Sequence, residues 1–93
     1  MKISISKPLK DNIYNLMRQL GYRNQGQVSF VKPLDFSGYP RFHIYLEEKN
    51  DQISINLHLD QKRPVYKRGT AHSGEYEGKI IAEEAERIKK VFN

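Results

Sequence analysis

The sequence predicts an α+β fold, a two-layer sandwich. A three-stranded antiparallel sheet, with room for an extra N-terminal edge strand, carries two helices on one face in the order β-α-β-β-β-α. Three observations lead there. Residues 40–60 alternate apolar and polar side chains in two arms about a turn, the mark of a half-buried antiparallel pair. Two other stretches repeat apolar residues at helical spacing. Both helices and one face of the hairpin are apolar, so the helices can cover that face and leave the polar one open.

Residues 2–6 read KISIS, with Ile3 and Ile5 alternating against Lys2, Ser4 and Ser6, which predicts a short strand. It can lie parallel at an edge of the sheet through a right-handed crossover. Ser6 is a candidate N-cap, Pro8 suits a first helical turn, and Gly21 supplies a stop. Between them Leu9, Ile13, Leu16, Met17 and Leu20 predict a helix over 8–20. A polar connection, 22–26, leads to a strand over 27–32 with Val28 and Phe30 on one face. The loop to residue 40 is bracketed by Pro33 and Pro40, which do not fit a central ladder.

In the hairpin, Phe42, Ile44 and Leu46 alternate with Arg41, His43, Tyr45 and Glu47. Ile53, Ile55, Leu57 and Leu59 alternate with Ser54, Asn56, His58 and Asp60. A turn centred on Asn50-Asp51 sets Ile44 opposite Leu57 and His43 opposite His58. A slip of one residue would bury the polar set, so it is excluded. A slip of two sets His43 opposite Asp60 or Asn56. In every allowed register the two histidines share a face.

Residues 61–78 have no period and form a long irregular loop within one domain spanning 1–93. Loops of that length in small domains are usually functional or mobile. A second helix over 79–92 buries Ile81, Ala85, Ile88 and Phe92. Its acids precede its lysines, as the helix dipole favours. Glu83–Arg87 and Glu86–Lys90 are i,i+4 pairs on a face expected to be solvated.

Composition bounds the function. Ninety-three residues allow one small core, with a stability of about 5–10 kcal/mol. The chain has no cysteine, which excludes disulfides, thiol nucleophiles and cysteine metal sites. No apolar run reaches membrane-spanning length and no export signal stands out, so the expectation is a cytoplasmic protein without membrane partners. The net charge of +5 favours polyanions such as nucleic acid.

Chemistry can sit in three places. Lys62, Arg63, Lys67 and Arg68, interleaved with Tyr66, suit phosphate contact with base stacking; a solvated cationic loop is the plainer account. His43 and His58 face each other across a strand pair at ~5 Å between Cβ atoms. They can act as acid and base on a phosphodiester, or share a metal with Asp60 and His72. They can also simply fill an exposed face. Gly74 allows a turn that would bring His72 or Glu75 toward the hairpin. No phosphate-binding glycine loop or zinc spacing is present, so no cofactor is expected.

The run αβββα, with a histidine in its middle strand, resembles the double-stranded-RNA-binding-domain-like fold. Within that fold it is similar to HicA-type toxins over about residues 9–60. The likeness lies in the helix ending Leu20-Gly21-Tyr22, the strand Arg41-Phe42-His43-Ile44-Tyr45 and the strand Ile53 to His58. In that family a Gly-Ser-His element supplies the histidine for RNA cleavage. Arg41-Phe42-His43 stands in its place here, so His43 alone carries over.

The reading is a small basic domain that binds RNA or another phosphorylated ligand. Arg41, Asp60, Lys62, Arg63, Lys67, Arg68, His72 and Glu75 make polar contacts, and Tyr45 and Tyr66 stack. Two alternatives stay open: a metal-independent ribonuclease using His43 and His58, and a non-catalytic module that binds a protein partner or a second copy. Arg63→Ala and Lys67→Ala should each weaken RNA binding and flatten the slope of log affinity against log salt. Affinity that does not respond to salt would contradict the reading.

Overall fold

The computed structural model describes residues 1–61 and 74–93, except the side chains of 74–77. Its elements are β1 (Lys2–Ser6), α1 (Ile13–Leu20), β2 (Arg23–Asn24), β3 (Ser29–Pro33), β4 (Arg41–Lys49), β5 (Gln52–Asp60) and α2 (Gly74–Phe92). The sheet has five strands, not three, in the order β1-β5-β4-β3-β2, and every neighbouring pair is antiparallel. The α+β class stands, but the expected strand count and element order do not.

Two strands account for the difference. β2 is two residues long, too short to show any alternation, and lies within the stretch expected to be a connection. β1 does not enter by a parallel crossover. It lies antiparallel beside β5, the last strand, with Ile3 opposite Ile55 and Ile5 opposite Ile53. α1 therefore carries the chain from one edge of the sheet to the other.

The hairpin register is the expected one. His43 pairs with His58, Ile44 with Leu57, and Lys49 with Gln52 around the Asn50-Asp51 turn. Phe42, Ile44, Ile53, Ile55 and Leu57 point to the helices and are buried with Ile3, Ile5 and Phe30. Leu16, Met17 and Leu20 of α1 and Ala85, Ile88 and Phe92 of α2 close the core from the other side. Those are the stripes that helical spacing selects.

Element boundaries moved for local reasons. α1 starts at Ile13, not residue 8, because Asn12 is its cap: the Asn12 side chain accepts from Tyr14 N–H at 2.7 Å. The Lys7–Pro8 bond is cis and precedes the helix. At its end Gly21 takes a left-handed φ of 95°. Gly21 N–H donates to Arg18 O and Tyr22 N–H to Met17 O, both at 2.9 Å. A side chain at Gly21 would also meet Lys32. β3 runs from Ser29 to Pro33, and Val28 lies outside it, half exposed. Pro33 is tolerated because β2 pairs only with Phe30 and Val31, so no N–H is needed there. α2 begins at Gly74, four residues before the end of the expected loop; the rest of that loop, 62–73, lies outside the described residues.

The Schellman turn after α1 delivers Tyr22 into the core. Its hydroxyl donates to Glu84 Oε2 at 2.6 Å. Glu84 is itself buried and takes a two-pronged bond from Arg87, 2.8 Å on each side. Arg87 also donates to Leu20 O at 2.7 Å, satisfying a helix-end carbonyl. The acidic start of α2 is thus not uniformly solvated: Glu84 faces inward, and among the described residues the ion pairs within α2 are Glu84–Arg87 and Glu86–Lys89 at i,i+3. Burial, with the bond to Glu84, pushes the Tyr22 phenol far above its ordinary value, and the bond to Glu84 raises the Arg87 guanidinium.

A phenol whose pKa rises on folding contributes stability that is intact below about pH 10, its unfolded value. Above that pH the unfolded chain releases a proton the fold retains, so stability falls. Tyr22→Phe should cost ~1–3 kcal/mol at pH 7, because a buried carboxylate loses a donor. It should also remove part of the alkaline loss. Denaturant titrations at pH 7 and pH 11 measure both.

Candidate functional site

The face of the sheet away from the helices carries the odd-numbered residues of β3 and β4 and the even-numbered residues of β5. Parity puts Ser29, Arg41, His43, Tyr45, Asn56, His58 and Asp60 on that face, and the pairing of β3 with β4 and of β4 with β5 brings them together. On it, Asp60 is the hub. Its Oδ2 accepts from Arg41 Nε and bonds His43 Nδ1, each at 3.1 Å. The other ring nitrogen of His43, Nε2, is bonded to Ser29 Oγ at 2.8 Å.

This chain of bonds orients the imidazole. An ionised carboxylate only accepts, so His43 Nδ1 carries a hydrogen. In the neutral ring Nε2 is then the acceptor, and the Ser29 hydroxyl donates to it. The ring has little freedom: both nitrogens are engaged and its side chain is 13% exposed. Tyr45 stacks on it at 4.4 Å between centroids and 30° between planes. His58, exposed, meets Tyr45 edge-on at 6.1 Å. Tyr45 itself is 44% exposed, so one aromatic surface faces outward from a fixed base.

Arg41 is held twice. Its Nε bonds Asp60, and its guanidinium carbon lies 4.7 Å from the Tyr39 ring centroid. That is cation–π geometry. Its terminal nitrogens have no bonded partner among the described residues. Tyr39, Arg41, His43, Tyr45, Leu59 and Asp60 line an open hollow of about 450 Å³. A more apolar groove of about 410 Å³ lies elsewhere, between the approach to α1 and the ends of β4 and β5. Its polar groups are committed locally, Lys7 to Glu48, Asn12 to the cap of α1 and Asp11 to Asn15, so the polar face is the stronger candidate.

Of the residues singled out from sequence, Arg41, His43, Tyr45, His58 and Asp60 meet here. Glu75 falls in the first turn of α2. Lys62, Arg63, Tyr66, Lys67, Arg68 and His72 lie outside the described residues. Among the described residues, no group of three or more His, Asp or Glu side chains could hold a metal ion. Ser29 and Tyr39 were missed. The parity of β3 could have found Ser29, since it alternates with Phe30; Tyr39 sits in a loop, where no period applies.

Asp60→Ala should free His43 and Arg41 together. The check is the nitrogen NMR spectrum of the neutral His43 ring: a single Nδ1–H tautomer in the parent chain, and a mixture in the variant. A comparison of the chain with protein-family models, curated proteins and solved structures found no match in any of the three.

Proposed function

We propose that the open face of the sheet binds single-stranded nucleic acid, RNA being the expected class. The observation that carries this reading is the ring cluster on β4 and β5: an outward-facing Tyr45, backed by His43 and flanked by His58. Open sheet faces with exposed aromatics are a recurrent platform for unstacked bases. Stacking on such a ring is worth about 1–3 kcal/mol per base and tolerates any sequence. A platform already fixed by the Asp60–His43–Ser29 bonds loses little freedom when it binds.

Charge supports the same reading. Four of the sixteen cations and none of the eleven acids lie in residues 62–73, so the rest of the chain nets only +1. On the face itself Arg41 is balanced by Asp60. The attraction for phosphate therefore belongs to the segment that leaves β5, while the described face supplies the stacking surface. Binding divides between the two: a salt-dependent part from the basic segment and a salt-independent part from the rings.

A second reading draws on one bond. Asp60 on Nδ1 makes Nε2 the basic nitrogen of His43; it accepts from Ser29 Oγ, so a substrate hydroxyl that displaced Ser29 would meet a general base, with His58 across the strand pair. The toxin resemblance points to the same histidine.

Tyr45→Ala should weaken binding of a short single-stranded RNA by ~1–3 kcal/mol with its salt slope unchanged. Fluorescence anisotropy over a salt series measures this, and unaltered affinity would sink the platform. The same RNA, run on a denaturing gel after incubation, separates the two readings: cleavage that His43→Ala abolishes supports the nuclease, and intact RNA supports binding alone.

A further inference from the structure

A five-stranded sheet has two edges, and here they differ. β2, at one edge, offers two residues. β1, at the other, offers five, KISIS, with no proline among them. The backbone bonds from β1 to β5 come from odd-numbered residues. Met1 N donates to Leu57 O at 3.0 Å, Leu57 N returns the bond to Met1 O at 2.8 Å, and Lys7 N donates to Asp51 O at 2.9 Å. Ladder alternation makes Ile3 and Ile5 the remaining bonded residues. The N–H and C=O groups of Lys2, Ser4 and Ser6 therefore point away from the sheet. Among the described residues nothing bonds them on that side. All three residues are exposed.

A row of unpaired backbone groups is a template for another strand, which proteins ordinarily blunt with proline, a bulge or an inward charge. β1 has one charge, Lys2 at its first position, and Pro8 stands only beyond its end.

We propose that this edge pairs with β1 of a second copy of the chain. The two strands run antiparallel about a two-fold axis at Ser4, and the two sheets join into one. Parity admits the pairing. Ser4 lies opposite the partner's Ser4, and Lys2 opposite the partner's Ser6. Every outward-pointing residue thus meets an outward-pointing residue, and each such pair exchanges two N–H···O bonds.

Side chains agree with the backbone. Ile3 lies opposite the partner's Ile5 on the helix side, so the apolar layer continues across the joint. The two Lys2 side chains sit at opposite ends of the seam; Lys7, which the same register sets opposite the partner's Met1, is already paired with Glu48. α2 packs over both β5 and β1, so it lies near its own copy on the helix side. On the other side the two open faces become one surface with two ring clusters. A self-complementary edge of this kind fits a second copy without any further partner. The pairing does not depend on nucleic-acid binding.

Sedimentation equilibrium of the full chain tests it. The expected result is a shift with concentration toward twice the 10.9 kDa chain mass. Ser4→Pro removes an outward N–H but no bond to β5, and should hold the chain monomeric with an unchanged circular dichroism spectrum. Because a proline can disturb the strand, Ser4→Cys gives a second readout. The chain has no other thiol, so a short bis-maleimide should link Ser4→Cys into covalent dimers and leave Ser37→Cys unlinked. A monomer at every concentration overturns the proposal. So does a dimer that survives Ser4→Pro and is not linked through Ser4→Cys.

Discussion

The pairing of β4 with β5 is the constraint on which the rest depends. Nine residues in each arm alternate almost without fault, and the period of two leaves one register that buries the apolar set. That register places Ile44 against Leu57 at the centre of the core and His43 against His58 on the reverse. Core and candidate site are thus two faces of one decision. Neither can shift without the other, and β1 and β3 attach to a hairpin whose sidedness is already set.

The helices are held to this sheet by apolar burial and by one polar cluster. Tyr22, Glu84, Arg87 and the Leu20 carbonyl join the end of α1 to the middle of α2. A carboxylate that far from water is stable only with its bonds complete, and here three donors reach it. Such a cluster adds little net energy compared with an apolar filling, but its geometry is exacting. It sets the end of α1 against one position of α2. On the face opposite the helices Val31 and Ser54 are buried, and Asp60 adds order by holding Arg41 and His43 at once.

Where local chemistry and tertiary demand agreed, the structure followed the pattern. The stripes Leu16/Met17/Leu20 and Ala85/Ile88/Phe92 lie in the core as their spacing requires. Where a residue had two uses, the pattern misled. Ser6 and Pro8 look like a helix start, yet Ser6 ends β1 and Asn12 caps α1. Glu84 looks like one acid among several on a wet face, yet the phenol of Tyr22, distant in sequence, draws it inward. Arg23-Asn24 has no readable period, and forms a strand only because β3 offers an edge.

What the sequence determined by itself was sidedness: which residues of the hairpin and the helices go to the core, and hence that His43, His58, Arg41, Tyr45 and Asp60 share the opposite face. Alternation encodes this directly, because successive side chains on a strand must point to opposite sides. Tertiary structure alone decided adjacency beyond the hairpin. It put β1 beside β5, brought Ser29 to the far nitrogen of His43 and set Tyr39 under Arg41. Periodicity carries no information about which strand lies next to which. That order follows from the competition of every exposed edge and apolar face for cover, which only the assembled chain settles.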